Sequence, residues 1–277
     1  NGKVFESEKE ASQWYKKKSL PVVLKPIDSS GSQVIHIIME EKKFKESFYI
    51  AKNYSTLIIV EEMIIGRHID VNGFLYDSIF YPMGTGERKF SSDHPALTVQ
   101  GISPAPIKRE TENMIYKTLS SASASLGIKN GPVKGDFILY NDIPYVLEVT
   151  PRFHGDIYSS YLHDYVYNKS PIEILMKYFS RKKIDMLSWN KKFSGFRPIY
   201  SKPGIIKKVE VIDDKRINNK NTNIILLKEN NFEIKNVNDN ISIVGFIVRS
   251  SNSHEKLIQE LDNLRGFIKI IYKDQPK

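Results

Sequence analysis

The chain has 277 residues, 40% of them hydrophobic, which is enough material for two or three packed units. No run approaches eighteen uninterrupted apolar residues, so no transmembrane helix is expected, and the lack of Cys excludes a disulfide scaffold, a thiolate zinc site and a thiol nucleophile. The net charge of +9 raises nucleic acid as a partner, but the Lys residues are scattered among Ile and Asn without a basic helix or an RNA-reading aromatic motif. Neither nucleic acid nor a membrane is expected as partner, and the composition reads as that of a cytoplasmic globular protein.

Ser7 and Glu10 form a capping box that opens a helix with Ala11, Trp14 and Tyr15 facing inward. An apolar strand then ends at Lys25-Pro26. The small-residue loop Asp28-Ser29-Ser30-Gly31-Ser32 follows, and a second strand runs from Gln33 to Ile38. Backbone N–H groups of such a loop can approach phosphate oxygens, and Lys25 would add a point charge. The loop joins two strands and lacks a Gly-Lys-Ser/Thr ending, so it is not a Walker A loop. Taken singly, it is also an ordinary chain reversal. Residues 57–71 pass from an apolar strand into Glu61-Glu62-Met63-Ile64 and then Gly66. Such a strand and linker can hold a purine by backbone hydrogen bonds, and equally reads as a buried strand ending in solvated acids. Glu87-Arg88-Lys89, between a Gly-rich turn and Ser91-Ser92, reads as a solvated charge run rather than a loop closing over a site. Ile115, Leu119, Ala122 and Leu126 mark the apolar stripe of a helix that stops at Gly127.

Residues 131–156 carry the strongest signal. Asn141 and Asp142 separate two β-rich runs, the pattern of a hairpin. With the turn centred on Asp142, Asp136 and Glu148 stand directly opposite each other, where like charges repel. Two such carboxylates suit a hard cation such as Mg²⁺ that also bridges phosphates; taken alone, the hairpin equally reads as a surface pair of solvated carboxylates. Glu148, Thr150 and, if the extended chain continues, Arg152 share a face. His154 and His163 are nine apart with no third ligand at fitting spacing, so His154 reads as a substrate or phosphate contact rather than a transition-metal ligand. Ser170-Pro171 opens a further helix with Ile172, Leu175, Met176 and Phe179 on its buried side. From about Phe193 short β-rich runs alternate with turns, at 204–212, 223–228 and 242–249. A capped helix over 253–264 and a last strand over 267–272 follow.

The order and spacing of these pieces resemble the ATP-grasp superfamily over nearly the whole chain. The match lies in Lys25-Pro26, in Ser29 to Ser32, in Glu61-Glu62 with Gly66, in Asp136, and in Glu148-Val149-Thr150-Pro151-Arg152 followed by Gly155-Asp156. Within the superfamily the chain looks most like the carboxylate–amine ligases related to carbamoyl-phosphate synthetase and biotin carboxylase. The resemblance implies an α+β ATP-grasp fold, two subdomains gripping ATP, with a small C-terminal α/β domain. Residues 1–65 would form the small subdomain, 66–192 the core subdomain with the metal site, and 193–277 the C-terminal domain.

It also implies roles. Lys25, Ser29, Ser30, Gly31 and Ser32 would bind the phosphates, and Glu61, Glu62, Met63 and Ile64 would line the adenine. His68 stands where the family usually has a ribose-binding Glu. Asp136, Glu148 and Thr150 would hold Mg²⁺ (or Mn²⁺), Thr150 standing where Asn is usual. Lys134, where His or Arg is frequent, keeps a cation near the acyl site, and Arg152 would stabilise an acyl phosphate or tetrahedral oxyanion. The implied reaction joins a small-molecule carboxylate to an amine (or thiol) at the expense of ATP, and a homodimer is compatible with it. A small-molecule kinase and a non-catalytic nucleotide-binding module remain alternatives. About one helix precedes Lys25 and Asn1 is not Met, so the chain reads as a fragment or a shortened relative of a longer ligase.

Overall fold

The computed structural model describes residues 1–18, 21–28, 34–92, 97–155, 157, 162–167, 170–183, 192–212, 214–217, 219–228, 231–235 and 242–273. The chain divides into two compact units, 1–65 and 66–277, each combining helices with antiparallel strands in the expected α+β manner.

The first unit runs β1 (Gly2–Phe5), α1 (Glu8–Lys18), β2 (Val22–Pro26), β3 (His36–Ile38), α2 (Phe44–Lys52) and β4 (Ile58–Glu62). Its sheet has the order β1-β4-β2-β3. Side chains alternate along each strand, so Val22, Leu24, Ile58 and Val60 all bury on one face. They form a core with Ala11 and Tyr15 of α1 and Phe44, Phe48 and Ala51 of α2, and Trp14 packs at its margin. Lys25 and Glu61 fall on the other, half-exposed face.

The second unit begins with β5 (Arg67–Tyr76), β6 (Ile79–Phe90), β7 (Thr98–Ser103), α3 (Arg109–Ser125), β8 (Gly131–Tyr140) and β9 (Ile143–Thr150). It continues with α4 (His163–Tyr167), α5 (Pro171–Phe179), β10 (Phe193–Tyr200), β11 (Gly204–Val211), β12 (Thr222–Leu226) and β13 (Glu233–Ile234). It ends with β14 (Ile243–Ser251), α6 (His254–Asn263) and β15 (Ile268–Tyr272). One eight-stranded antiparallel sheet takes the order β12-β14-β10-β7-β6-β5-β8-β9, and a small sheet takes the order β13-β11-β15. Strands from both sides of residue 193 thus share one sheet.

Helix α3 covers one face of β5 and β8, packing Ile115 and Leu119 on Ile69, Val71, Val133 and Phe137. Its end is a glycine cap. Gly127 has φ of 74°, and the N–H groups of Gly127 and Ile128 donate to the carbonyls of Ala124 and Ser123. The buried stripe is Thr111, Ile115, Leu119 and Ser123, a strict i, i+4 row, and Leu126 is 61% exposed. The expected stripe therefore drifts from the core in its last turn. In α5 the expected buried side holds only in part. Leu175 is half-buried and packs with Ile174 against Phe74 and Met83, and Pro171 is buried, whereas Ile172, Met176 and Phe179 are exposed. A helix this short carries apolar residues on both faces, and periodicity does not say which face meets the sheet. Residues 87–89 are not a loop but part of β6.

Leu119→Ala is expected to cost about 2–5 kcal/mol of unfolding free energy, and Leu126→Ala less than about 0.5 kcal/mol. Urea unfolding of the two variants checks the assignment of the stripe.

Candidate functional site

The β8–β9 hairpin turns at Asn141 and Asp142, whose φ angles of 51° and 59° are the left-handed values a tight two-residue hairpin turn requires. This turn alone would set Phe137 against Val146 and leave Asp136 facing Leu147. Leu147 instead forms a β-bulge, after which Asp136 faces Glu148 and Lys134 faces Thr150. The expected opposition of the two carboxylates exists, but the bulge produces it rather than a turn centred on Asp142.

On its other side β8 pairs with β5, which sets Asp70 against Asp136 and Asn72 against Lys134. Two polar rows therefore cross three strands: Asp70, Asp136 and Glu148 in one, Asn72, Lys134 and Thr150 in the next. They lie on the face opposite α3, because the intervening Ile69, Val71, Val133 and Phe137 bury under that helix.

Each carboxylate in the row has a cationic partner. Lys134 is only 5% exposed, and its Nζ lies 2.7 Å from Asp136 Oδ2 and 3.0 Å from Glu148 Oε1. Arg88 donates to Asp70 Oδ2 through Nε at 2.8 Å and Nη2 at 2.7 Å. The Thr150 hydroxyl donates to Glu148 Oε1 at 2.7 Å. His154 comes from the segment after β9 and is buried, with Nε2 2.8 Å from Asp136 Oδ1 and 3.7 Å from Asp70 Oδ1. Its backbone N–H donates to Asn72 Oδ1 at 3.1 Å, and its Nδ1 lies 3.0 Å from the same oxygen.

Burial pushes the Asp136 carboxyl up, but the hydrogen bond and charge of His154 and the charge of Lys134 outweigh it and hold the group well below the usual carboxylate range. Glu148 follows the same balance: burial raises it, while hydrogen bonds from Thr150 and Lys134 bring it below its ordinary value. His68, on β5, is lowered by burial and meets Phe90 edge-on with ring centroids 4.7 Å apart.

Of the residues expected at the site, Lys134, Asp136, Glu148 and Thr150 come together. Arg152 does not continue their row. Pro151 has no N–H for the ladder, β9 stops at Thr150, and the Arg152 N–H turns back to the Thr150 carbonyl at 2.8 Å. Its exposed guanidinium donates to the Phe153 carbonyl at 3.0 Å. In the first unit, Lys25 pairs with Glu61 at 2.7 Å. Hydrogen bonding from Lys18, at 3.0 Å, with help from Asn1, holds the Glu62 carboxyl below its ordinary value. The Met63 N–H donates to the Pro21 carbonyl, and Met63 and Ile64 are half-buried. Ser29, Ser30, Gly31 and Ser32 lie outside the described residues.

Asp70, Asn72 and Arg88 join the site from β5 and β6, where no short motif announces them, and His154, expected as a substrate or phosphate contact, is buried against Asp136 and Asn72. One signal was available: His68, Asp70 and Asn72 alternate with Ile69 and Val71, which is unusual polarity for a strand flanked on both sides. Arg88 is not solvated as expected, since it pairs with Asp70, and Glu87 pairs with Arg67 at 2.8 Å.

The Asp136–Glu148 pair fits a hard divalent cation. The Asp136 Oδ2 and Glu148 Oε1 oxygens already converge on one ammonium group, and the Thr150 hydroxyl adds a further oxygen beside Glu148. The sequence profile of the ATP-grasp domain matches residues 6–156, more than half of the chain, and the chain belongs to that family. The fold is that of solved ATP-grasp structures. The chain is similar to L-amino acid ligase from Bacillus licheniformis, with TM-score 0.82 and 19% identity over 99% of this chain and 69% of that one. It is similar to phosphoribosylglycinamide synthetase from Anaerococcus prevotii, with TM-score 0.73 and 23% identity over 99% and 70%. The third is the biotin carboxylase domain of Hydrogenobacter thermophilus 2-oxoglutarate carboxylase in complex with MgADP, ADP and bicarbonate, with TM-score 0.78 and 14% identity over 98% and 62%. No curated protein matches the sequence.

A carboxylate held below its unfolded value stabilises the fold above about pH 4, and that contribution disappears as pH falls toward the folded value. Urea unfolding between about pH 5 and pH 2 is therefore expected to give a shallower acid loss of stability for Asp136→Asn than for the unsubstituted chain. Parallel curves would contradict the balance of forces described for Asp136.

Proposed function

We propose that this chain binds ATP with Mg²⁺ (or Mn²⁺) and serves an ATP-dependent ligase that joins a carboxylate to an amine or thiol through an acyl phosphate. The observation that carries the reading is the Asp136–Glu148 pair, two opposed carboxylates clasping one cation within a chain of the ATP-grasp family. The similar structures support it in name, since two of them are called a ligase and a synthetase and a third holds MgADP with bicarbonate.

Carboxylates are poor electrophiles, and condensing one with an amine in water is uphill. Phosphorylation of the acid by ATP supplies both a leaving group and free energy, provided phosphate charge is neutralised, donor and acceptor are aligned, and water is excluded. In this reading Asp136 and Glu148 hold the metal, with Thr150 as an accessory oxygen. When bound, the metal would neutralise phosphate charge as a Lewis acid. Lys25 and residues 29–32 bind the phosphates, Glu61 to Ile64 line the adenine, and His68 hydrogen-bonds the ribose. Lys134 Nζ lies between Asp136 and Glu148, so once a divalent cation takes that place the ammonium would turn toward the transferring phosphoryl. Arg152 stabilises the acyl phosphate or the oxyanion that follows. Residues 1–65 and 66–192 act as the two ATP-grasp subdomains, and 193–277 shapes the substrate side.

With Mg²⁺ and a non-hydrolysable ATP analogue, calorimetry is expected to detect binding, with Glu148→Gln weakening it by roughly tenfold or more and Thr150→Ala by clearly less. Equal losses would refute the ligand assignment. ADP release across a panel of acids, with and without amines, then separates a ligase from a kinase: release that requires the amine supports the ligase, and release with a stable phosphorylated acid contradicts it.

A further inference from the structure

Beside the Asp136–Glu148 pair, three other ligand atoms converge. Arg88 and Lys134 hold Asp70 and Asp136 by their Oδ2 atoms, which leaves both Oδ1 atoms turned to His154 Nε2, at 3.7 and 2.8 Å. The imidazole tautomer is set from its far side. The backbone N–H of His154 requires an acceptor, so the Asn72 atom it meets at 3.1 Å is the carbonyl oxygen. The same oxygen lies 3.0 Å from Nδ1, and an acceptor there requires Nδ1 to carry hydrogen. Nε2 then faces two carboxylate oxygens, within hydrogen-bond range of Asp136 Oδ1 but not of Asp70 Oδ1 at 3.7 Å. Two carboxylates and a ring nitrogen turned toward one point are the donor set of a cation site.

We infer that Asp70 Oδ1, Asp136 Oδ1 and His154 Nε2 form a binding site for a divalent first-row transition-metal ion. The three atoms lie within 4.8 Å of one another. Metal–ligand bonds of about 2.0–2.2 Å place adjacent ligands roughly 3 Å apart, close to the spacing found here. An imidazole nitrogen with two carboxylates favours Mn²⁺, Fe²⁺, Co²⁺ or Zn²⁺ over Mg²⁺, which prefers an all-oxygen shell. Asn72, Arg88 and Lys134 are the outer partners that aim the three ligands, with Asn72 fixing the ring nitrogen that carries hydrogen. Asp136 then has two faces, Oδ1 toward this ion and Oδ2 toward Lys134 and Glu148. A bound ion would lock the carboxylate in the orientation that the neighbouring pair uses. Asp136 is shared with the pair proposed to hold Mg²⁺, whereas Glu148 takes no part here, so Glu148 and His154 separate the two sites.

The test uses the full 277-residue chain, freed of metal and without nucleotide. Mn²⁺ and Co²⁺ are titrated by calorimetry, and the Mn²⁺ form is read by pulsed electron paramagnetic resonance. The expected result is one equivalent bound, with hyperfine coupling to an imidazole nitrogen, and no displacement by equimolar Mg²⁺. His154→Gln and Asp70→Asn are each expected to weaken binding by about tenfold or more, and Glu148→Gln by less than about twofold. Absence of binding, absence of nitrogen coupling, or a loss in Glu148→Gln equal to that in His154→Gln would overturn the inference. The last result would assign the ion to the Asp136–Glu148 pair, and nitrogen coupling in the unsubstituted chain decides the matter if His154→Gln fails to fold.

Discussion

Three carboxylates stand in register on adjacent strands, and the sheet holds together there because cations are fixed among them. Like charges directly opposed across a strand pair are destabilising. Lys134, nearly buried, answers two of them and Arg88 answers the third. The dependence is mutual. An ammonium as buried as Lys134 is tolerable only with its partners, and stripping a buried ion of its partner costs on the order of 3–5 kcal/mol in well-buried cases. Here Glu148 retains substantial exposure, with 55% of its side chain accessible, so water meets part of that cost. The arrangement is an expensive way to build a sheet, and the proposed exchange of the ammonium for a metal gives it a use.

Much of the local structure exists to deliver that register. The Asn141-Asp142 turn closes the hairpin one residue out of step with the functional pairing, and the bulge at Leu147 restores it. On the opposite face α3 clamps Ile69, Val71, Val133 and Phe137, which fixes the faces of β5 and β8 and so the side on which the carboxylates emerge. A one-residue slip would turn Asp136 and Asp70 into that apolar layer.

What the sequence conveyed was local or strictly periodic. The hairpin, the Ser170 cap, the Gly127 stop and the helix capped by Ser253 follow from turn and capping chemistry within a few residues. The pairing of Asp136 with Glu148 was legible because both lie on one hairpin. Asp70, Asn72 and Arg88 were not legible as site residues, because β5 and β6 lie well before the hairpin in the chain and their pairing is a tertiary fact. His154 was read through its distance from His163, whereas its partners lie on other strands. The face of α5 is legible only in part for a related reason: Ile172, Met176 and Phe179 repeat at helical spacing, yet Ile174 and Leu175 are the residues that pack on Phe74 and Met83.

The central claim is that the carboxylate row is a cation wall in which the Lys134 ammonium holds a metal's place. A crystal structure of the chain with Mn²⁺ and a non-hydrolysable ATP analogue, with anomalous data collected at the manganese edge, tests it most directly. The account predicts an anomalous peak between Asp136 Oδ2 and Glu148 Oε1 with Lys134 Nζ displaced from that point. Manganese bound with the nucleotide elsewhere, while Lys134 still bridges the two carboxylates, would contradict it.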